Sequence, residues 1–182
     1  MKKSILYFFL FFLLGTINPA VAQVLNQNPN AELIWGQELK EPNRTFLSKI
    51  ITSNKSGFYT LREVNPQRPG EGVSKIYLER YNKKMKLQRS EKIDLKIKGK
   101  KLELEDVAVI GGDIFVLSSF NNEAKRKNFL FAQKVDYKNL RLSKDFKKIG
   151  EINTKKKYKE GNFDLNISKD SSKILILSLI HI

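Results

Sequence analysis

The chain of 182 residues has no cysteine and a single histidine, His181, next to the last residue. Without cysteine there is no disulfide framework, no thiolate nucleophile and no cysteine-built metal site, so stability must come from an ordinary buried core. With one histidine, the common nucleophile-and-base pairs and His-ligated zinc or haem centres cannot be assembled from this segment. Glycine-rich phosphate loops are missing as well. Acidic residues are scarce: 19 Asp and Glu face 34 Lys and Arg, a formal charge of +15. No apolar run reaches the roughly 20 residues that a helical bilayer span requires, and no segment carries a sustained amphipathic-helix period.

The apolar run that is present, Ile5 to Leu14, follows Lys2 and Lys3 and precedes Ala20-Val21-Ala22. That order of positive start, short apolar stretch and small-x-small site reads as a signal peptide over residues 1–22, cleaved before Gln23. No cysteine follows the site to carry a lipid, so the mature protein is expected to be exported, to a periplasm, an outer surface or the medium, with no transmembrane segment after cleavage. Losing Lys2 and Lys3 lowers the charge by two, to +13. About 160 residues remain, the length of one domain.

The lysines cluster at Lys83-Lys84, Lys98 to Lys101, Lys125 to Lys127, Lys147-Lys148 and Lys155 to Lys157. Most of these clusters fall between apolar segments, where lysine solvates turns and guards strand edges. Their functional reading is an anionic partner such as an acidic polysaccharide or lipopolysaccharide. Export argues against nucleic acid.

Residues 23–46 read as a linker, within which Ala31 to Leu39 has the pattern of a closing strand. Beyond it, alternation dominates: Ser74 to Tyr81 and Lys92 to Lys98 place apolar and polar residues on opposite faces, as half-buried strands do. Turns are marked by Asn54 to Gly57, Pro66 to Gly72, Gly111 to Asp113, Asn121-Asn122 and Lys169 to Ser172. The segment Ile51 to Leu61 reappears without a gap as Ile167 to Leu177, with a degenerate copy at Val109 to Leu117. The chain is therefore repetitive. The first unit, within residues 47–97, has strands Leu47 to Ser53, Phe58 to Glu63, Lys75 to Tyr81 and Ser90 to Ile97. The second, within 98–152, has Leu104 to Ile110, Ile114 to Phe120, Phe129 to Val135 and Phe146 to Ile152. A third unit occupies 153–176 with two strands, beginning at Phe163. Leu140 to Ile149 has some helical character, which the alternation of its counterpart in the first unit overrules.

Ile167-Ser168-Lys169-Asp170-Ser171-Ser172-Lys173-Ile174-Leu175-Ile176 resembles the hairpin between the first two strands of a TolB-like, WD40-like β-propeller blade. Ser168 and Asp170 match the Ser-x-Asp-Gly pattern of that family, and Ser171 stands where glycine is common. The Ser53 hairpin keeps the serine but continues with Asn54 and Lys55. The resemblance covers Leu47 to Leu177 and implies an all-β chain: the N-terminal fragment of a β-propeller, with about two and a half four-stranded blades. The alternative is an antiparallel β-meander or β-sandwich. It draws on Ile97 to Leu102, where a tight turn with Gly99 first would pair Lys96 with Glu103 and Leu95 with Leu104. The final residues 177–182, Leu-Ser-Leu-Ile-His-Ile, match what a transposase sequencing adapter encodes and are expected to be a non-native tail.

For chemistry there remain carboxylates and aromatics. Glu103, Glu105, Asp106 and Asp113 form the densest acidic group, a pattern that suits acid-base work or cation binding, but alternation with Leu102 and Leu104 already places Glu103 and Glu105 on a solvent face. Tyr59, Tyr77, Tyr81, Phe115, Phe129 and Phe131 have the makings of a stacking platform, yet they recur at matching strand positions, which assigns them to packing. Asn43-Arg44-Thr45 and Asn166-Ile167-Ser168 fit the N-glycosylation pattern. No catalytic, cofactor-binding or metal-ligating residue is assigned. The expected function is an exported, non-catalytic scaffold that binds a protein or glycan at the cell envelope. Its alternatives are the propeller of a prolyl-oligopeptidase-like hydrolase, whose Gly-x-Ser-x-Gly nucleophile would lie downstream, and a basic surface for anionic polysaccharide or lipopolysaccharide.

Overall fold

The computed structural model describes residues 41–66, 72–154 and 162–179. The expected leader, most of the linker with the Ala31 to Leu39 segment, and the end of the tail lie outside the described residues. Among those described, the chain is all-β, with one short 3-10 turn at Glu123–Lys125 and no α-helix. No helix there is long and apolar enough to cross a membrane.

The first sheet consists of β1 (Thr45–Asn54), β2 (Gly57–Val64), β3 (Lys75–Asn82) and β4 (Leu87–Asp94), paired antiparallel in chain order. Two residues each form β5 (Lys96–Ile97) and β6 (Lys100–Lys101), a hairpin leading into the second sheet. That sheet repeats the meander with β7 (Glu103–Ile110), β8 (Asp113–Asn122), β9 (Lys127–Lys134) and β10 (Lys147–Asn153). A third sheet pairs β11 (Asn162–Ile167) with β12 (Ile174–Leu179). Phe46 and Thr45, assigned by sequence to the linker, belong to β1. The helical character of Leu140 to Ile149 yields to a turn and then β10.

The Ile97 to Leu102 hairpin exists, but its register is not the one expected. Lys96 pairs with Lys101 and Ile97 with Lys100, and the Leu102 amide donates to the Leu95 carbonyl at 2.9 Å. Lys98 and Gly99 form the turn, both with positive φ (49° and 77°), so Gly99 is its second residue. The physical reason is burial. This register sets Leu95 against Leu102, 1% and 0% exposed, in the core. Two buried leucines outweigh the few tenths of a kcal/mol to about 1 kcal/mol lost by facing two exposed lysines.

Alternation explains which faces are covered. Tyr59 and Leu61 of β2, Ile76 and Leu78 of β3 and Ile93 of β4 pack with Val107, Ile114 and Val116 of the second sheet in the largest core. The opposite face of the second sheet contributes Ala108, Leu117 and Ala132 to another cluster with Leu165 and Ile174. Leu130 and Ile152 join Phe163 of β11 in a third. The second sheet is therefore covered on both faces. A Cβ on Gly150 would meet Phe163 at 3.1 Å and Leu130 at 3.2 Å, which ties the absence of a side chain there to the close approach of β11. The first strands lie beside one another: β7 runs next to both β1 and β11. Bulges in β1 and β7 fall near the same point of the repeat and add twist.

Candidate functional site

On the face of the first sheet that turns away from the second, charged residues are buried. Pairing of β2 with β3 sets Thr60 opposite Glu79 and Phe58 opposite Tyr81. Arg62, two residues along β2, reaches diagonally, and its Nε donates to Glu79 Oε1 at 3.2 Å. Tyr81 donates its hydroxyl to Glu79 Oε2 at 2.9 Å, and Thr60 donates to the same oxygen at 3.4 Å. Arg62 is 2% exposed and Glu79 5%. A second carboxylate, Glu41, lies 3.3 Å from the Arg62 guanidinium and also accepts from the Leu47 amide. Desolvation works against the Arg62 charge, but Glu79, through its hydrogen bond and its charge, more than compensates and holds the guanidinium above its ordinary pKa. Burial, reinforced by Glu79, pushes the Tyr81 phenol above its usual 10. Phe58 stacks on Tyr81 with ring centroids 5.1 Å apart. Every strong donor and acceptor here answers another within the cluster. Its chemistry is that of a buried ionic brace, with no free nucleophile or base.

The acidic group singled out in the sequence does not converge. Asp106 receives Lys49 from β1 and caps the Val107 amide at 2.8 Å. Asp113 pairs with Lys134 at 2.7 Å. Glu103 packs over Gly72, where an added Cβ would meet its carboxylate at 2.6 Å. No group of three metal-ligating side chains occurs among the described residues.

The aromatic residues are divided among packing contacts. Tyr59 sits edge-on to Tyr137, Phe131 edge-on to Phe146, and Phe115 packs beneath the third sheet. Tyr77 and Phe129 carry Lys92 and Lys148 over their rings. Asn43 is exposed in the turn before β1, while Asn166 is exposed within β11, paired with Leu175.

The hairpin that carries the family resemblance is built as a closed polar knot. Ser168 Oγ donates to Asp170 at 2.6 Å, the Ser172 amide and hydroxyl donate to the same carboxylate, and the Lys173 amide returns to Ser168 Oγ at 2.9 Å. These donors, Ser168 foremost, lower the Asp170 pKa to about 2. Ser171 has φ of 55°, the left-handed conformation for which glycine is the natural occupant. Its carbonyl accepts from the Gly111 amide at 2.7 Å, joining this hairpin to the corresponding one of the second sheet.

A smaller cleft of about 100 Å³ lies where the turn before β1, the end of β2, the start of β3 and the β5–β6 hairpin meet. Arg44, Val64, Asn65, Pro66, Gly72, Ser74, Lys75 and Lys101 line it. The sequence reading missed both this cleft and the Arg62–Glu79 brace, because each is made only when neighbouring strands fix their register. No family model, no curated protein and no solved structure matches the chain.

Proposed function

We propose that the chain forms part of a non-catalytic, propeller-type scaffold, exported to the cell envelope, that presents its loops to a protein or glycan ligand. The observation that carries the reading is the second sheet, a four-stranded meander covered on both faces by neighbouring sheets. A two-layer sandwich covers each sheet on one face only, whereas stacked blades cover every internal sheet twice. Side-by-side first strands, the Lys49–Asp106 bridge from β1 to β7 and the Gly111–Ser171 link between hairpins support the same arrangement. Crystallography of the protein tests it. Successive sheets should be related by a rotation of roughly 45 to 90° about one axis, the range for eight to four blades. Sheets aligned within roughly 30° would refute it. Hydrolysis of peptide nitroanilides by the purified protein would refute the non-catalytic half.

A second reading, a surface for anionic polysaccharide, is favoured by one feature. The β5–β6 hairpin presents Lys96, Lys98, Lys100 and Lys101, all exposed, at the rim of the cationic cleft.

A further inference from the structure

We propose that the cleft at Arg44, Lys75 and Lys101 seats one sulfate or phosphate ester of an anionic polysaccharide. The proposal rests on the second reading above and gives it an address.

Four properties of the cleft support this assignment. Its size is the first: about 100 Å³ is ample for a tetrahedral oxyanion, since a single water needs only about 10–15 Å³ of such space. The second is its lining, which among the described residues has three cationic residues, the neutral hydrogen-bonding residues Ser74 and Asn65, and no acidic residue. Glu103, the acid packed over Gly72, lies nearby but is not among the lining residues.

The third property is charge that the protein leaves uncompensated. Several cations elsewhere are matched: Lys49 with Asp106, Lys127 and Lys148 with Glu151, Lys134 with Asp113, Arg141 with Glu91. Arg44 and Lys75 have no carboxylate partner among the described residues. Two unmatched cations beside one small cleft repel each other unless an anion enters, so the free energy of filling the site is carried by the protein's own charge. The fourth is preorganisation. Arg44 is held in a left-handed conformation, φ 61°, with its carbonyl accepting from the Asn65 amide at 2.9 Å, and Thr45 closes the preceding turn on Pro42. Lys75 stands at the start of β3, half-buried.

A polymer is favoured over a free ion because the cationic track continues. From Lys101 the hairpin leads to Lys98 at its tip, while Lys100 is turned over the Phe120 ring, so the next anionic repeats of a chain meet Lys98 after leaving the cleft. Exposed charges are largely screened beyond about 8 Å at physiological salt, so a polymer held at several points gains where a single ion does not.

The test compares the full chain with two double variants that remove equal charge. Arg44→Ala/Lys75→Ala empties the cleft, and Lys83→Ala/Lys84→Ala removes two exposed lysines from the β3–β4 turn. Heparin serves as the sulfated polymer and inorganic phosphate as the free anion. At about 150 mM NaCl the cleft variant should bind heparin about tenfold more weakly or worse, and the control less than about threefold. The slope of log affinity against log salt should fall by about two in the cleft variant. Phosphate should shift the Ser74 and Lys75 amide resonances of the parent protein and leave those of Ser74 unmoved in the cleft variant. Thermal melts of both variants should match the parent, since Arg44, Lys83 and Lys84 are exposed and Lys75 makes no ion pair among the described residues. Equal heparin losses in the two variants would overturn the site while leaving the anion-binding reading intact. Failure of the parent to bind heparin would overturn both. Phosphate shifts without a heparin loss would overturn the polymer assignment.

Discussion

Replacing Glu79 by glutamine should cost far more than a single charge change on a strand usually does. Glu79 is the shared acceptor of the Arg62 guanidinium, the Tyr81 hydroxyl and the Thr60 hydroxyl. An amide keeps the shape but offers one carbonyl oxygen and two N–H donors, so it cannot accept from all three. It also leaves the 2%-exposed Arg62 without its buried counter-charge. Breaking one side of a buried ion pair costs about 3–5 kcal/mol. Glu41, 3.3 Å from the guanidinium and half exposed itself, still screens part of the charge and places the expectation near the low end, about 3 kcal/mol. For a chain of this size that corresponds to a melting point lower by roughly 6 to 12 °C. Urea denaturation followed by circular dichroism gives the free energy directly. The companion variant Arg62→Met/Glu79→Leu removes both charges together and should recover part of the loss, because an apolar pair avoids the desolvation cost of the charges while the Tyr81 and Thr60 hydroxyls still lose their acceptor. An E79Q protein within about 1 kcal/mol of the parent would refute the brace. So would a double variant as unstable as the sum of its single changes. The same cluster sets an alkaline limit: with the Tyr81 phenol above 10 in the folded state, its contribution is whole below pH 10 and is lost as pH rises beyond it.

Three further outcomes follow from local geometry. Gly57→Ala should destabilise by more than about 2 kcal/mol in the same urea assay, because its Cβ would lie 1.9 Å from the Tyr81 carbonyl and force β2 from β3; a neutral result would refute that close approach. Ser171→Gly should stabilise by up to about 1 kcal/mol, relieving the left-handed backbone at 55° against glycine's greater freedom when unfolded; a loss of stability would show that the serine side chain matters. Asp170 and Glu151, held near 2 by Ser168 and by Lys127 with Lys148 respectively, should titrate by carboxyl NMR well below the ordinary 3.8 and 4.5. Their stabilisation is therefore present above those ordinary values and lost as pH falls through about 2, and Asp170→Asn should abolish that part of the acid response.

What could be read from the sequence was whatever a single strand or turn states by itself. Ile76 and Leu78 against Tyr77 and Glu79 give the period of β3, and Gly111-Gly112 gives the turn between β7 and β8. Ser168 and Asp170 mark their hairpin because its hydrogen bonds close within six residues, and the glycine expected after Asp170 is explained by the left-handed backbone found at Ser171. Arg62 and Glu79 were illegible for the opposite reason. A charged residue on the second face of a strand reads as solvent-facing, and nothing in either strand tells which residue of the other lies diagonal to it. The cleft has the same origin, since Arg44, Lys75 and Lys101 belong to three separate segments.

The misjudged hairpin shows how the two levels connect. Read locally, Gly99 serves equally as first or second residue of a tight turn, and opposite charges at Lys96 and Glu103 favour the first choice. The chain takes the second, at the expense of a left-handed Lys98 and two facing lysines, because only that register puts Leu95 and Leu102 together in the core. Burying the leucines thereby fixes where the lysines project, with Lys101 at the mouth of the cleft and Lys98 at the tip. An inserted residue between Lys98 and Gly99 would move the leucines out of register and the lysines with them. Core stability and the proposed anion seat should therefore fail together in that variant. In Arg44→Ala/Lys75→Ala they should separate, the seat lost and the core kept, and a melting point that fell with heparin affinity in both would refute the distinction.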